Sequence, residues 1–294
     1  MVDVFADRPF AGNPLAVVHG AEGLETAQLQ ALAREFNLSE TVFPLPATAT
    51  AAQAGAGYRA RIFTPASELP FAGHPSVGVA WVLGRDGVIE LGDTVQECGA
   101  GLLPVTVSGT GARVYGGAAT LGEELDADAL AAAVGLDPAD VEAAGTDPGA
   151  PAAQSAGAGL EWSFLRVRPD AVARAVLPTS AGLAGHVQGT GLVVVAFDVD
   201  TRRAHVRAFG PDQGVPEDPA TGSAAVALGV WLVARGLLPP DGDSEVTVAQ
   251  GAEMGRPSTL ELRVVAEAGR AVRTSVGGSV VPVSAGTIAI PPLP

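Results

Sequence analysis

The sequence predicts an α+β fold made of two similar halves. Short β-rich segments occur along the whole chain, whereas only two segments read as strongly apolar helices. A pattern in the first half also recurs in the second. At 294 residues the chain exceeds the usual size of one hydrophobic core, and its 47% hydrophobic and 17% charged residues are typical of a globular protein.

In the first half, alternating or β-branched runs predict strands at 2–5, 14–18, 41–45 and 59–65. Apolar residues at helical spacing follow Thr26, a candidate N-cap, and predict a helix that ends near Asn37. A second, apolar helix is expected from His74 to about Leu83.

In the rest of the chain, the clearest helical pattern predicts a third helix from Ala224 to Arg235. Helical pieces are expected at 126–134 and 138–144, and 145–159 reads as a surface loop or spacer. The predicted strands are 88–91, 104–107, 162–167, 191–199, 204–211, 245–250, 259–265 and 286–290.

An internal repeat links the halves. The sequence RIFTP at 61–65 matches RAFGP at 207–211, and each is followed by an acid-containing loop that ends in a glycine, Gly73 or Gly222. Behind each glycine comes an apolar helix with a tryptophan, and the second loop is three residues longer. The same order of strand, loop, glycine and helix indicates a duplication.

Composition excludes several kinds of function. The 17 basic and 32 acidic residues give a net charge of −15, which disfavours nucleic-acid and membrane partners. All basic residues are arginine, so mechanisms that need a lysine Schiff base or a Walker A lysine are excluded. Cys98 is the only cysteine, so no internal disulfide forms. The start lacks a signal-peptide pattern and no apolar run reaches membrane-spanning length, which predicts a cytoplasmic protein.

The two glycine-led helix starts are candidate anion sites. Helix starts carry unsatisfied N–H groups and a partial positive charge, and glycine allows close approach of a ligand. Gly73-His74 and Gly222-Ser223 are therefore expected to bind a small anion in a cleft between the domains. Pro75 fits the first helical turn. The alternative for His74 is a helix cap packed under its loop.

Acidic candidates are few. Asp218 lies in the second loop, where it could accept a substrate proton or cap the helix, although Thr221 is an equally good cap. Glu40 lies at a helix-to-strand corner, where local sequence alone favours a solvated acid. The histidines lack metal-ligand spacing, so no metal site is expected.

Five segments together resemble the PhzF-like phenazine-biosynthesis isomerase family, which has the diaminopimelate epimerase-like fold. They are DVFADRPFAGNPLAVV (3–18), LAREFNLSETVF (32–43), RIFTPASELPFAGHPSVG (61–78), EDPATGSAA (217–225) and QGAEMGRPS (250–258). The resemblance implies two pseudo-symmetric domains, each a curved, mostly antiparallel sheet wrapped around a central helix. The domains are placed at 1–116 plus 281–294 and at 117–280, and a homodimer is a family expectation.

The resemblance also implies residue roles. The family's general acid/base falls on Glu40, and its other catalytic residues fall on His74 and Asp218. Gly73, His74, Gly222 and Ser223 are expected to bind substrate. Diaminopimelate epimerase has cysteines at its two helix starts, whereas this chain has His74 and Ser223 there, so a two-thiol mechanism is excluded.

The expected function is therefore a cofactor-independent isomerase that transfers a proton at carbon in a small carboxylic acid, with Glu40 as the general acid/base. Two alternatives stay open. One is an epimerase or racemase of an amino or hydroxy acid with the same site. The other is a non-catalytic small-acid binding protein, against which a carboxylate beside an anion site argues.

Overall fold

The computed structural model describes residues 1–143, 145, 150–211 and 215–293. The chain forms two compact units, Met1–Val114 with Gly277–Pro294, and Tyr115–Val276. The sequence places the corresponding boundaries at 116/117 and 280/281. No helix in the described ranges has both the length and the apolar character needed to cross a membrane.

Unit 1 consists of Met1–Val114 and the returning segment from Gly277 onward. Its helices are α1 (Thr26–Phe36), α2 (Ala49–Gln53) and α3 (Gly73–Arg85). Its strands are β1 (Val2–Val4), β2 (Asn13–Val17), β3 (Glu40–Leu45), β4 (Tyr58–Phe63), β5 (Glu68–Leu69), β6 (Gly92–Cys98), β7 (Gly101–Val107) and β8 (Gly111–Tyr115).

Unit 2 contains the elements that follow. Its helices are α4 (Ala127–Ala133), α5 (Pro169–Val172), α6 (Ser180–Leu183) and α7 (Gly222–Ala234). The strands are β9 (Ala119–Glu124), β10 (Ala153–Ala158), β11 (Glu161–Arg166), β12 (Leu192–Asp198), β13 (Arg203–Gly210), β14 (Val215–Asp218), β15 (Gly242–Gln250), β16 (Ser258–Glu267) and β17 (Arg270–Pro282). The chain returns to unit 1 within β17.

The sheet of unit 1 surrounds α3. Strand β1 pairs antiparallel with β2, β2 parallel with β3, and β3 antiparallel with β4. Strand β4 pairs antiparallel with β5 and parallel with β6, and the antiparallel pairs β6–β7 and β7–β8 follow. Because β17 pairs with both β8 and β1, the sheet closes on itself. Helix α3 packs against β1, β2, β3, β4 and β7.

Unit 2 repeats this order of pairing. Strands β10 and β11 are antiparallel, β11 and β12 parallel, and β12 and β13 antiparallel. Strand β13 pairs antiparallel with β14 and parallel with β15, which pairs antiparallel with β16. Helix α7 packs against β9, β10, β11 and β16. The predicted α+β fold, with a mostly antiparallel sheet around a central helix in each half, is confirmed.

The two central helices are buried along most of their length, because both faces are apolar. Close packing requires glycines within them. A Cβ on Gly78 would lie 2.4 Å from Leu15 Cδ2, and a Cβ on Gly229 would lie 2.6 Å from Val264 Cγ2. The sheets therefore approach both helices too closely for a side chain at these positions.

One segment predicted as loop is instead a central strand. Residues 145–159 include β10, all of whose residues are buried; residues 146–149 lie outside the described ranges. The sequence AQSAGA lacks the β-branched and aromatic residues typical of strands. Its small side chains suit a strand packed against α7, so tertiary packing overrides the local pattern.

Several element boundaries were also wrong. The N-cap of α1 is Glu25 rather than Thr26, because Glu25 and Gln28 form a reciprocal capping box. In place of the helix predicted at 138–144 there is a short 3₁₀ turn, Pro138–Asp140, and residue 144 lies outside the described ranges. Residues 88–91 and 286–290 are not strands.

Candidate active site

Glu40 lies where unit 1 turns from helix to strand. Helix α1 ends at Phe36, and its C-cap Asn37 adopts a left-handed conformation with φ of 49° that redirects the chain. Strand β3 then begins at Glu40, opposite Leu15 of β2, and Thr41 lies opposite Phe63 of β4. The Glu40 side chain is 17% exposed, so it is neither fully buried nor a freely solvated loop acid.

The structure brings Glu40 and His74 together. His74 is the second residue of α3, and its Nδ1 lies 3.3 Å from Glu40 Oε2. Only 4% of the His74 side chain is exposed. Burial lowers the pKa of His74 to about 3, and a hydrogen bond with the backbone of Pro14 opposes this shift. The imidazole is therefore neutral at physiological pH and adds no positive charge beside the carboxylate.

The neutral His74 makes stability depend on pH. Below its ordinary pKa of 6.5, the unfolded chain binds a proton at His74 that the folded chain does not bind. Stability should therefore fall as pH drops from 6.5 toward about 3, by about 1.4 kcal/mol per pH unit from this residue alone.

His74→Asn removes the titration, so the free energy of unfolding should depend less steeply on pH than in the wild type between about pH 5 and 6.5. Urea unfolding at stepped pH measures this slope. His186→Asn is the control, since His186 is exposed. Equal slopes for His74→Asn and the wild type would contradict the prediction.

A buried chain of hydrogen bonds fixes the start of α3. Tyr58 Oη donates to Gln96 Oε1 at 3.0 Å, and Gln96 Nε2 donates to Ser76 Oγ at 2.9 Å. Ser76 Oγ donates in turn to the carbonyl of Ala72, the N-cap, at 2.8 Å. The first turn that carries His74 is thus tied to β4 and β6. Sequence reasoning missed these residues because no local motif marks them.

In unit 2, Asp218 lies at the end of β14 and holds the residue before α7. Thr221 Oγ1 donates to Asp218 Oδ2 at 2.6 Å. Gln250 Nε2 donates to the Asp218 carbonyl at 2.7 Å and to Thr221 Oγ1 at 2.9 Å, and its Oε1 accepts from Thr221 N at 3.1 Å. Gln250 is 2% exposed. Gln250 belongs to a segment that carries the family resemblance, but its sequence context predicts no role for this side chain.

Neither helix start is capped by the side chain of its N-cap residue. Ala72 has no capping group, and the Thr221 hydroxyl is bonded to Asp218 and Gln250 instead. Thr221 is therefore the N-cap by position, but not a side-chain cap. Ser223 Oγ accepts from Trp162 Nε1 at 3.2 Å. These contacts leave the backbone N–H groups of both first turns without a side-chain acceptor from the cap residue.

The predicted residues thus fall into two groups. Glu40, Gly73 and His74 lie together in unit 1, and Asp218, Gly222 and Ser223 lie at the start of α7 in unit 2. Across the described ranges, no three His, Cys, Asp or Glu side chains converge as potential metal ligands.

Fold and geometry define an α+β protein of two duplicated units, with a carboxylate against a neutral histidine at one helix start. The profile of the family described as phenazine biosynthesis-like protein matches residues 2–286. The chain belongs to this PhzF-like family, and it is an isomerase.

Known proteins resemble it over nearly their whole length. An uncharacterized isomerase of Mesorhizobium japonicum is 36% identical, covering 99% of this chain and 98% of its own. The trans-2,3-dihydro-3-hydroxyanthranilate isomerase of Pseudomonas chlororaphis is 32% identical at the same coverage. The solved structure of a predicted epimerase from Pseudomonas aeruginosa is 31% identical, with a TM-score of 0.75 over 96% of this chain and 95% of that one.

Proposed function

We propose that this isomerase needs no cofactor and moves a proton between carbon atoms of a small carboxylic acid, with Glu40 as the general acid/base. The observation that carries the proposal is the 3.3 Å contact between Glu40 Oε2 and His74 Nδ1 at a helix start without a side-chain cap. A carboxylate can take a proton from carbon and return it elsewhere only if it is held beside the substrate.

His74 is proposed to orient Glu40 and the substrate rather than to act as the base. Its pKa of about 3 keeps the ring neutral, so its contact with Glu40 is not an ion pair. A histidinium at this distance would favour the ionised carboxylate and weaken it as a proton acceptor. A neutral ring can hold the Glu40 side chain in place without weakening it as a proton acceptor.

The backbone N–H groups at Gly73-His74 and Gly222-Ser223 are proposed to bind the substrate carboxylate and the charge that develops during proton transfer. Donors of this kind contribute about 3 kcal/mol each to transition-state stabilisation in other enzymes. Support comes from the absence of a side-chain cap at both helix starts. Asp218, held by Thr221 and Gln250, is proposed to orient a polar substituent of the substrate.

Exchange of hydrogen for deuterium tests the proposed function. The enzyme is incubated in D₂O with trans-2,3-dihydro-3-hydroxyanthranilate, the acid in the name of a relative 32% identical to this chain, and with other small carboxylic acids that raise its Tm. Proton NMR should show exchange at carbon together with a shifted double bond. Tight binding with neither deuterium exchange at carbon nor a shifted double bond would overturn the proposal in favour of a binding protein.

A second candidate is an epimerase, favoured by the solved structure described as a predicted epimerase. It would return the proton to the carbon from which it came. The same NMR experiment distinguishes the two, because epimerisation incorporates deuterium at one carbon and leaves the double bonds in place.

A further inference from the structure

An arginine on β4 contacts the segment that leads into α3 and His74. Arg61 donates from Nε to Glu68 Oε1 at 2.8 Å and from Nη2 to Glu68 Oε2 at 2.7 Å. Its guanidinium lies 5.2 Å from the ring centroid of Phe63. Glu68 forms β5 with Leu69 and precedes Gly73, the first residue of α3, by five positions. The pair therefore fixes the segment that leads into His74.

Unit 2 contains the same arrangement. Arg207 on β13 donates from Nε and Nη2 to the two carboxylate oxygens of Glu217, both at 2.7 Å, and lies 5.0 Å from the ring centroid of Phe209. Glu217 also precedes the first residue of its helix, Gly222, by five positions. The atoms used are the same in both units, although the second loop is longer.

Each arginine also reaches the connection between two parallel-paired strands, β2 and β3 in unit 1 and β11 and β12 in unit 2. Arg61 Nη2 donates to Thr26 Oγ1 at 2.9 Å, and Thr26 is the first residue of α1. Arg207 Nη1 donates to the carbonyl of Ala175, which follows α5. In unit 1 this connection continues through α1 to Glu40. One guanidinium thus contacts both the segment that leads to Glu40 and the segment that leads to His74.

Helix α1 is tied to the same loop by a second residue. Gln30 Nε2 donates to the carbonyls of Thr64 and Pro65 at 2.9 and 3.1 Å. Thr64 follows Phe63, which lies opposite Thr41, the neighbour of Glu40. The contacts of Arg61 and Gln30 therefore link α1, which precedes Glu40, to the segment between β4 and α3, which precedes His74.

We propose that Arg61 is a positioning residue that sets the contact between Glu40 and His74; the proposal rests on the proposed function of that pair. Its ion pair with Glu68 is partly exposed, with 16% and 38% side-chain exposure, and pairs of this kind add little to stability. A displacement of about 1 Å at reacting groups can nevertheless lower a rate by about 100-fold. Arg61 should thus affect geometry more than stability.

The surroundings of His74 can be followed by NMR. In protein labelled with ¹⁵N-histidine, the four histidines give few signals, and His74 is assigned by its loss in His74→Asn. Arg61→Gln should shift the His74 ring-nitrogen resonances, with Tm lowered by less than about 4 °C. Arg85→Gln is the matched control, because Arg85 pairs with Asp86 at 2.8 Å and lies 5.1 Å from the Trp81 ring at the other end of α3. It should leave the His74 signals unchanged.

Activity gives a second readout with trans-2,3-dihydro-3-hydroxyanthranilate as the probe. Arg61→Gln should lower kcat by about tenfold with KM nearly unchanged, and Arg61→Lys should recover part of that loss because it keeps the charge. His74 signals identical to the wild type in Arg61→Gln would overturn the proposal. If Glu40→Gln retained full activity, the proposed function would fail, while the His74 signals would still report whether Arg61 sets the geometry.

Discussion

Replacing Glu40 by glutamine is expected to lower kcat by about 10³-fold, while the protein stays folded and still binds small acids. Glutamine has nearly the shape of glutamate, and its amide can donate to or accept from His74 Nδ1, which lies 3.3 Å from the present carboxylate. It cannot take up and return a proton. Because His74 is neutral, removing the carboxylate leaves no buried positive charge behind. Turnover, Tm and acid-induced stabilisation are measured on the same preparation.

Glu35→Gln is the matched control for this variant. Glu35 is an exposed carboxylate on α1, the helix that leads to Glu40, and its loss should leave kcat unchanged. If Glu40→Gln turned over substrate as fast as Glu35→Gln, Glu40 would not be the acid/base. A kcat that fell together with Tm would instead indicate a structural role.

Much of the fold could be predicted because the chain repeats itself. The motifs RIFTP and RAFGP begin on β4 and β13, and the two apolar helices begin at Gly73 and Gly222, close to the predicted starts at His74 and Ala224. Local sequence patterns did not predict strands made of small residues, because such strands form through tertiary packing rather than local propensity. The clearest case is β10, which reads as a loop and forms a fully buried strand against α7.

The contact at the centre of the site could not be predicted from local sequence. Glu40 and His74 meet because the left-handed turn at Asn37 starts β3 beside β2, and because β4 leads through β5 into α3. The strand pairings that bring the two residues together join distant parts of the chain, so no short stretch of sequence predicts them. The chemical type of the residues could be predicted, but the 3.3 Å distance and the burial that neutralises His74 depend on the folded unit.

Aligned by their pairing registers, the duplicated units carry their acids at different positions. Phe63 lies opposite Thr41, and Phe209 lies opposite Leu192, so Glu40 corresponds to Gly191. A Cβ on Gly191 would lie 2.1 Å from the Phe209 carbonyl oxygen, which leaves no room for an acid there. The units have therefore diverged. A mechanism that needs equivalent acids in both halves does not fit this chain, whereas proton transfer by Glu40 alone does.

Replacing Arg207 by methionine is expected to destabilise unit 2 by about 3–5 kcal/mol. Arg207 and Glu217 are each only 8% exposed, so the variant leaves a buried carboxyl group without its two guanidinium hydrogen bonds. The contacts with the Ala175 carbonyl and the Phe209 ring are lost as well. The equivalent change at Arg61 should cost about 1 kcal/mol or less, because that pair is partly exposed. The arginine–glutamate pair should therefore contribute more to the free energy of unfolding in unit 2 than in unit 1.

The double variant Arg207→Met with Glu217→Met separates the two causes of this loss. Two apolar side chains of similar volume often replace a buried ion pair without net cost, so the double variant should regain most of the stability lost in the single one. Urea unfolding followed by tryptophan fluorescence reports mainly on unit 2, which contains Trp162 and Trp231. A double variant as unstable as Arg207→Met would show that packing and the Ala175 contact, rather than the unpaired Glu217, cause the loss.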